Sequence, residues 1–365
     1  MKVLIATGGT GGHIFPALAL ADDLMKKNPK NEIVFIGTKY RIEKEIIPNK
    51  GYRFIGLDIS STSGTMINKI KAVMKLVSAY FECKKLIKEE QADICIGFGN
   101  YISIPLIMAA SKLNIKTMIH EQNSYVGKAN IYLAKHVDLV VGCYYENIEQ
   151  LSTEKVKILG NPRASAASLI KKDTQVLIDL GLNPDLKTIL IVMGSLGSDS
   201  VNKVLKEAFN EMDNKDYQVL FVVGKNTSKD YLDSLQKYKN IIVKEFIDGI
   251  KVMANVDLII SRAGATTLSE ITALKLPSIL IPSPYVPNNH QVLNAKVLSD
   301  DEAAIMIEEK DLSAESLIKN IDELMNNDEK LRKMSKKTVN FAYINASSDI
   351  IKDIEVLVGK NKWIK

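Results

Sequence analysis

Apolar and polar residues alternate along the chain in a pattern that predicts buried strands separated by helices. Short continuous apolar runs of strand length recur through both halves of the sequence, with amphipathic stretches of helical period between them. The predicted strands are 3–6, 32–36, 53–57, 93–96, 116–119, 138–141, 156–159, 187–193, 218–223, 241–244, 257–260 and 278–281. Strands that alternate with helices form mostly parallel sheets. The pattern therefore predicts an α/β fold that binds ligands beyond the carboxyl ends of its strands.

The first predicted strand is followed by a loop with four glycines in five residues, Gly8-Gly9-Thr10-Gly11-Gly12. His13 follows directly, and a helical pattern starts at Ile14. A glycine loop between a strand and a helix directs backbone N–H groups and the positive end of the helix dipole towards an anionic or sugar-bearing ligand. The spacing fits neither the dinucleotide fingerprint nor the P-loop. A tight turn at the sheet edge is the alternative, but an ionisable ring at the helix start favours a reaction site.

The same arrangement recurs in the second half of the chain. The run 187–193 ends in a loop with glycines at 194–198, and a second turn with a glycine precedes the helix that carries Glu270. The start of that helix could hold a diphosphate, and Glu270 could accept hydrogen bonds from both hydroxyls of a ribose. We therefore expect two similar domains, residues 1–163 and 164–345, that face each other across a cleft. The C-terminal helix 346–365 is expected to pack back on the first domain.

A long helix is predicted over residues 66–90. Two apolar rows run along it, and the clearest consists of Ile67, Ile70, Met74, Val77 and Phe81. Lys69, Lys71 and Lys75 flank this row near the start of the helix. One interpretation is a core helix with a solvated lysine face. The other is that the first turns touch an anionic membrane, where each basic residue adds about 1 kcal/mol.

The composition excludes several classes of protein. A net charge of +5 suits an anionic substrate or membrane surface, but without a basic arm or stripe it does not indicate nucleic-acid binding. The three cysteines are widely separated, which favours a reducing cytoplasm over a disulfide framework or a zinc site. The first residues do not resemble a signal peptide, and no apolar run reaches the roughly 20 residues of a transmembrane helix. We expect a soluble or peripheral protein.

Six motifs together resemble those of the MurG family. They are GGTGGH at 8–13, HEQN at 120–123, GNPR at 160–163, GSLGS at 194–198, SRAGATTLSE at 261–270 and NHQVLNA at 289–295. Members of this family transfer N-acetylglucosamine (GlcNAc) from UDP-GlcNAc to undecaprenyl-pyrophosphoryl-MurNAc-pentapeptide (lipid I), which gives lipid II for peptidoglycan synthesis. The resemblance implies two Rossmann-like domains in the GT-B arrangement, with the acceptor lipid on the first and the donor mainly on the second. It also implies a peripheral enzyme at the cytoplasmic face of the cell membrane, contacts with other cell-wall synthesis proteins, and a role in cell shape and division.

The resemblance assigns substrate contacts to both halves of the chain. In the first half, Thr10, Gly11 and Gly12 would meet the donor across the cleft, and Asn123 would bond the GlcNAc. Arg163 and Ser195 would hold the nucleotide and its phosphates, and the backbone of Ile247 would contact the uracil. Glu270 would bind the ribose, and Gln291 would bind the sugar. Ala265, Thr266 and Thr267 would bind the diphosphate.

His13 and Glu121 are the candidates for catalysis. The 4-hydroxyl of the lipid-linked MurNAc would attack the anomeric carbon of UDP-GlcNAc, with inversion and loss of UDP. A neutral hydroxyl is a poor nucleophile at pH 7, and a histidine base suits the removal of its proton. The sequence contains no DxD pair for a metal, so helix N-termini after Gly194 and Gly264 would stabilise the leaving UDP. Neither a metal nor a cofactor is expected.

Two departures from the family pattern affect these loops. Asn100 stands where the family usually has a second glycine after Gly-Phe-Gly, and Met193 and Leu196 replace the usual Gly and Gln around Gly194-Ser195.

Four alternatives remain open: a UDP-sugar:diacylglycerol glycosyltransferase, a UDP-GlcNAc 2-epimerase, a nicotinamide dehydrogenase and a non-catalytic membrane scaffold. HEQN and GGTGGH favour the peptidoglycan enzyme, whereas the dehydrogenase lacks its fingerprint spacing.

Overall fold

The computed structural model describes residues 1–60, 65–194, 197–224 and 227–359. The chain divides into two units. Unit 1 is Met1–Ser165 together with the segment that starts at Asn345, and unit 2 is Ala166–Ile344. Ser195 and Leu196 lie outside the described residues. The site role of Ser195 and the departure at Leu196 therefore remain predictions.

Parallel strands form one sheet in unit 1. Its strands in the described residues are β1 Lys2–Ala6, β2 Glu32–Thr38, β3 Arg53–Leu57, β4 Ile94–Gly97, β5 Lys116–Glu121, β6 Leu139–Gly142 and β7 Val156–Ile158. The order in the sheet is β3-β2-β1-β4-β5-β6-β7, and all of these neighbours are parallel. The chain order reverses between β1 and β4. Such a reversal opens a crevice at the carboxyl ends of the two strands, where ligands bind in this class of fold.

Helices cover both faces of this sheet. They are α1 Gly11–Lys27, α2 Glu43–Asn49, α3 Met66–Glu90, α4 Ser103–Lys112, α5 Lys128–Ala134 and α6 Glu146–Leu151. The next helix, α7 Pro162–Ser168, contains the boundary between the two units. Successive residues of β1 point to opposite faces, because Val3 and Ile5 belong to one apolar cluster and Leu4 and Ala6 to another. Burial on both faces explains why the strands are continuous apolar runs rather than alternating ones.

The apolar stripe of α3 is exposed, so the interpretation of this stripe as a core face is wrong. The buried side of the helix consists of Ala72, Ala79, Cys83 and Ile87. The stripe residues Ile67, Ile70, Met74, Val77 and Phe81 are each more than half exposed. Small residues on the buried side of α3, Ala72 and Ala79, allow close packing against α4, and the large apolar residues of the stripe remain outside.

Unit 2 repeats the design with a second parallel sheet. In the described residues its strands are β8 Lys187–Val192, β9 Tyr217–Val222, β10 Ile241–Lys244, β11 Leu258–Ser261, β12 Ser278–Leu280 and β13 Ile305–Met306. Their order is β10-β9-β8-β11-β12-β13, so the chain order reverses between β8 and β11. The two-residue strand β13 was not predicted, because it is too short to give a periodic signal.

The helices of unit 2 pack on both faces of its sheet. They are α8 Gln175–Asp179, α9 Asp199–Met212, α10 Lys229–Leu235, α11 Gly249–Met253, α12 Ala265–Ala273, α13 His290–Ser299, α14 Ala314–Met325 and α15 Asp328–Thr338. Short 3-10 helices lie at Pro287–Asn289, Glu309–Asp311 and Val339–Phe341. Ile189 and Ile191 of β8 join one core cluster, and Leu190 between them joins the other.

The last helix, α16 Ala346–Gly359, belongs to unit 1. Ile350, Ile351, Ile354 and Val358 share an apolar cluster with residues of α1 and β1. Two ion pairs also join α16 to unit 1, Lys27–Glu355 at 2.7 Å and Lys157–Asp353 at 2.8 Å. Among the described helices, none combines the length and apolar character that crossing a bilayer would require.

Candidate active site

The glycine loop after β1 brings Thr10 and His13 together. The structure starts α1 at Gly11, three residues before the predicted start, so His13 lies in the first turn of the helix. Thr10 is the N-cap residue, and its Oγ1 lies 3.2 Å from His13 Nδ1. The Thr7 hydroxyl donates a hydrogen bond to the His13 carbonyl at 2.8 Å. The predicted residues Thr10, Gly11, Gly12 and His13 thus form one continuous turn at the carboxyl end of β1.

The loop after β4 lies against the His13 ring. A Cβ atom at Gly99 would stand 3.0 Å from His13 Cδ2 and 3.2 Å from His13 Nε2. Gly99 also has a φ of 78°, which side chains rarely adopt. Glycine at this position is therefore needed both for the backbone conformation and for the space that the imidazole occupies.

The HEQN loop after β5 is organised around the Glu121 carboxylate. Glu121 is buried, and its oxygens accept hydrogen bonds from Asn123 N at 3.0 Å, Gly127 N at 3.0 Å and Asn130 Nδ2 at 2.8 Å. Asn147 on α6 donates to the Asn123 carbonyl at 3.0 Å. Both carboxylate oxygens of Glu121 are engaged with the loop that presents Asn123. This geometry suits a positioning residue better than a base that must accept a substrate proton.

His120 is a buried neutral ring beneath this loop. It stacks on Phe98 with ring centroids 5.0 Å apart, and its Nε2 lies 3.1 Å from the Gly160 carbonyl. Burial lowers the pKa of His120 to about 4, because the interior disfavours the charged form. The hydrogen bond to Gly160 links the HEQN loop to the GNPR motif.

Arg163 of the GNPR motif lies over α1. Its guanidinium stands 5.5 Å from the centre of the Phe15 ring, at cation–π distance, and its backbone N–H donates to Asn161 Oδ1 at 2.9 Å. Phe15 follows His13 by two residues on α1. Arg163 is thereby held beside the helix that starts with the glycine loop.

In unit 2, α12 begins where the SRAGATTLSE motif predicts. Gly264 is the N-cap residue, and the first turn consists of Ala265, Thr266 and Thr267. Their backbone N–H groups start a nine-residue helix, so they lie at the positive end of its dipole. Glu270 is buried one turn further along the same helix.

Gln291 and Asn294 project from α13. The Ser283 N–H donates to Gln291 Oε1 at 2.8 Å, so the Gln291 amide is oriented by the backbone and its nitrogen serves as a donor. Asn294 Nδ2 donates to the Ala263 carbonyl at 3.2 Å, which ties α13 to the loop before α12. The remaining predicted residue, Ile247, lies between β10 and α11 and packs partly against the apolar core.

The sequence motifs did not indicate the structural role of Arg262. Its guanidinium pairs with Glu309 at 2.7 Å, donates to Ser198 Oγ at 2.7 Å and donates to the Ile281 carbonyl at 3.0 Å. Arg262 thus joins the loops after β8, β11 and β12 and the short helix after β13. Met193, one of the departures from the family pattern, follows β8 directly, and it is buried in the apolar core. Glu309 gave no sequence signal, because it lies in an ordinary charged stretch.

Among the described residues, no three His, Cys, Asp or Glu side chains are grouped so that they could hold a metal ion. The predicted site residues instead fall into two groups at the carboxyl ends of the strands. One group, in unit 1, consists of the turns after β1, β4 and β5 with Arg163. The other, in unit 2, consists of the start of α12 and the side chains of α13.

Comparisons with known proteins agree with these motifs. Residues 3–141 match the glycosyltransferase family 28 N-terminal domain, and residues 188–354 match the glycosyltransferase family 28 C-terminal domain. A protein of Bacillus cereus named UDP-N-acetylglucosamine--N-acetylmuramyl-(pentapeptide) pyrophosphoryl-undecaprenol N-acetylglucosamine transferase 1 is 39% identical over 365 residues, which cover 99% of this chain and 100% of the relative. The chain belongs to the MurG family. A Bacillus subtilis relative of the same transferase name is 36% identical over 98% of this chain and 99% of the relative.

The solved structures support the same MurG assignment. The crystal structure of Acinetobacter baumannii MurG has a TM-score of 0.76 and 26% identity, and the match covers 97% of this chain and 99% of that one. A putative UDP-N-acetylglucosamine 2-epimerase from Listeria monocytogenes has a TM-score of 0.71 at 16% identity over 97% of this chain and 95% of that one, a likeness of fold alone. The predictions of the MurG family and of two Rossmann-like GT-B domains are confirmed.

The burial of His120 predicts a pH dependence of stability. The folded state holds the His120 pKa near 4, below the value of about 6.5 in the unfolded chain, so protons bind preferentially to the unfolded chain. Stability should therefore fall as the pH decreases from 6.5 towards 4, by about 2 kcal/mol at pH 5. Chemical denaturation at each pH measures this loss.

His120→Gln removes the titrating ring and should flatten the decrease in stability between pH 6.5 and 4. His136→Gln is the matched control, because His136 is exposed, and it should keep the full decrease. Equal slopes for His120→Gln and the unsubstituted protein would contradict the assignment.

Proposed function

We propose that this chain transfers GlcNAc from UDP-GlcNAc to the 4-hydroxyl of the MurNAc of lipid I, with inversion, to give lipid II. The observation that carries the proposal is full-length similarity, at 39% identity, to a transferase whose name states this donor and acceptor. The epimerase alternative has only a likeness of fold behind it. The diacylglycerol, dehydrogenase and scaffold alternatives have no such support among the relatives named above.

In this proposal, unit 2 holds the donor. The N–H groups of Ala265, Thr266 and Thr267 bind the diphosphate at the positive end of the α12 dipole. Glu270, on the same helix, accepts hydrogen bonds from the ribose hydroxyls, and the oriented amide of Gln291 donates to the sugar. As UDP leaves, negative charge develops on its phosphates, and the fixed helix N-terminus stabilises that charge without reorganisation.

Uracil and the remaining donor contacts follow the family motif. The backbone of Ile247 meets uracil, Ser195 and Arg163 hold the nucleotide and its phosphates, and Asn123 bonds the GlcNAc. The support for Arg163 and Asn123 is that both are fixed by unit 1 contacts, Arg163 over Phe15 and Asn123 by Glu121 and Asn147. Thr10, Gly11 and Gly12 meet the donor from the turn after β1.

His13 is the base that takes the proton of the acceptor hydroxyl. The Thr10 hydroxyl contacts Nδ1, and this contact orients the ring and leaves proton transfer to Nε2. Glu121 has the role of positioning Asn123, because its carboxylate is engaged by Gly127 and Asn130 as well as by the Asn123 N–H. In this proposal, His13 therefore takes part in the chemistry, whereas Glu121 holds the loop that presents Asn123.

The exposed stripe of α3 supports a peripheral position at an anionic membrane. Large apolar side chains lie outward along the first turns of the helix, with Lys69 and Lys71 exposed beside them. Lys75 is partly committed to Asp58 at 2.7 Å. Apolar residues flanked by lysines fit the interface of a bilayer with anionic head groups, where the lipid acceptor is anchored. Contacts with other cell-wall synthesis proteins stay a prediction from the family resemblance.

The activity is tested by incubating labelled UDP-GlcNAc with a short-chain lipid I analogue and, in parallel, with diacylglycerol. We expect labelled product from lipid I alone. Product from diacylglycerol alone would contradict the proposed acceptor, and conversion of UDP-GlcNAc without any acceptor would favour the epimerase.

Replacing His13 tests the base. His13→Ala should lower the transfer rate by ~10²-fold or more, because the acceptor hydroxyl loses its proton acceptor. UDP-GlcNAc affinity, measured by calorimetry, should stay unchanged. The exposed residue His136 provides the control, and His136→Ala should retain full turnover. A His13→Ala loss of less than about tenfold would argue against proton transfer by this residue.

Replacing two stripe residues tests the membrane contact. Ile70 and Met74 are exposed, so the double variant Ile70→Glu/Met74→Glu should fold normally. Two carboxylates in place of apolar groups should weaken binding to phosphatidylglycerol vesicles by ~10-fold or more in cosedimentation. Val356→Glu places one carboxylate on the exposed side of α16 and is the control. Equal binding of the double variant and the unsubstituted protein would refute the proposed surface.

A further inference from the structure

The peptide bond between Gly8 and Gly9 can adopt two orientations at little steric cost. Gly8 has a φ of 152° and Gly9 a φ of 89°, in a region that residues with a Cβ rarely adopt. Rotating this peptide by half a turn exchanges its C=O and N–H directions and changes only torsions of the two glycines. Local sterics therefore do not determine the direction of these backbone groups at the start of the turn that carries Thr10 and His13.

Two side chains from other elements bind opposite sides of this one peptide. The Gly9 N–H donates to Glu43 Oε2 at 3.0 Å, and Asn100 Nδ2 donates to the Gly8 carbonyl at 2.8 Å. Glu43 is the first residue of α2, and Asn100 follows β4. A Cβ at Gly8 would stand 2.5 Å from Glu43 Oε1, so only glycine allows the carboxylate to approach this closely.

Each of the two side chains is itself fixed. Glu43 is fully buried, and its Oε1 accepts hydrogen bonds from the Thr38 N–H at 3.0 Å and the Thr38 hydroxyl at 2.7 Å. The Asn100 Oδ1 accepts from the Ile102 N–H at 2.8 Å, which directs its amide nitrogen towards Gly8. Asn100 has a φ of 53°, a conformation that asparagine tolerates better than most residues with a side chain. The departure from glycine at this position thus keeps the backbone conformation and adds a hydrogen bond.

We propose that Glu43 and Asn100 are positioning residues that fix the Gly8–Gly9 peptide in one orientation and so fix the turn that presents His13. The inference rests on the proposed function, in which His13 is the base. Unless the changes in ψ of Gly8 and φ of Gly9 compensate each other completely, a rotated peptide shifts the start of the turn and displaces Thr10, whose hydroxyl contacts His13 Nδ1. A displacement of about 1 Å at a reacting group can cost ~10²-fold in rate.

Isosteric substitutions break each hydrogen bond singly. In Glu43→Gln, the oxygen that remains accepts from Thr38, and an amide N–H₂ then faces the Gly9 N–H, donor against donor. In Asn100→Asp, one oxygen still accepts from Ile102, and the other faces the Gly8 carbonyl, acceptor against acceptor. Each variant should lower Tm, and each should lower kcat by ~10-fold or more in the lipid I transfer assay.

The double variant Glu43→Gln/Asn100→Asp distinguishes positioning from stability. Its amide donor at residue 43 and its carboxylate acceptor at residue 100 complement the rotated peptide, whose C=O and N–H have exchanged directions. The double variant should therefore recover most of the Tm that the two single variants lose, yet its kcat should stay low. If Glu43 and Asn100 acted only through stability, the Tm and the kcat of the double variant would recover together.

Asn31→Asp is the matched control. Asn31 is a buried amide whose Nδ2 donates to the Leu24 carbonyl at 2.8 Å and whose Oδ1 accepts from the Met1 amino group at 2.9 Å. It precedes β2 and so lies at the amino ends of the strands, away from the glycine turn. Asn31→Asp should lower Tm without changing kcat, measured well below every Tm.

Four results would overturn the inference. They are single variants with kcat within about twofold of the unsubstituted protein, a double variant whose Tm loss is the sum of the single losses, recovery of kcat together with Tm, and a kcat loss in Asn31→Asp equal to that of the single variants. Failure of the unsubstituted protein to transfer GlcNAc would instead refute the proposed function, and the Tm cycle would still report whether the two side chains share one peptide.

Discussion

The parallel direction of the strands determines where polar chemistry can lie in this protein. The central strands β1, β4, β6 and β11 are buried on both faces over nearly their whole length, so ligand-binding residues are expected at the turns on one edge of each sheet. In unit 1 the reversal of order between β1 and β4 brings the glycine turn beside Gly99 and its neighbours. In unit 2 the reversal between β8 and β11 brings the loop of Ser198 beside Arg262. The motifs that are predicted to bind the donor and the acceptor are found at these edges for that reason.

Most of the fold could be predicted because buried parallel strands give a strong signal, a continuous apolar run bounded by polar residues. The boundaries are less accurate where an aspartate precedes the run. Asp93, Asp138 and Asp257 read as first residues of strands, but each directs a carboxylate to a backbone N–H at the start of the neighbouring strand, at 2.8 to 2.9 Å. A side-chain contact between strands distant in the sequence has no periodic pattern, so local sequence could not indicate it.

The candidate site could be predicted where one motif contains both a residue and the partner that it contacts. Thr10 and His13 are three residues apart, so one helical turn brings them into contact. Glu121 is a different case, since its partners Gly127 and Asn130 follow the motif and become neighbours only when the loop folds back. In the sequence, Glu43 is one of several charged residues at the start of a helix. Its neighbours in the sequence give no indication of a hydrogen bond to Gly9, 34 residues earlier. The outward stripe of α3 was ambiguous because helical spacing identifies an apolar face without saying what covers it.

The return of the chain to unit 1 through α16 affects the order in which the protein can fold during synthesis. Residues Met1–Ser165 leave the ribosome first, but the apolar surface of α1 that receives Ile350 and Ile354 stays uncovered until the final helix is made. Unit 2 is continuous in sequence and can close its own cores while unit 1 still waits for its last element. The domain that is translated first is therefore the last to be completed. A chain that stops before residue 346 would leave this apolar surface accessible to chaperones and proteases, so the stability of unit 1 depends on translation through α16.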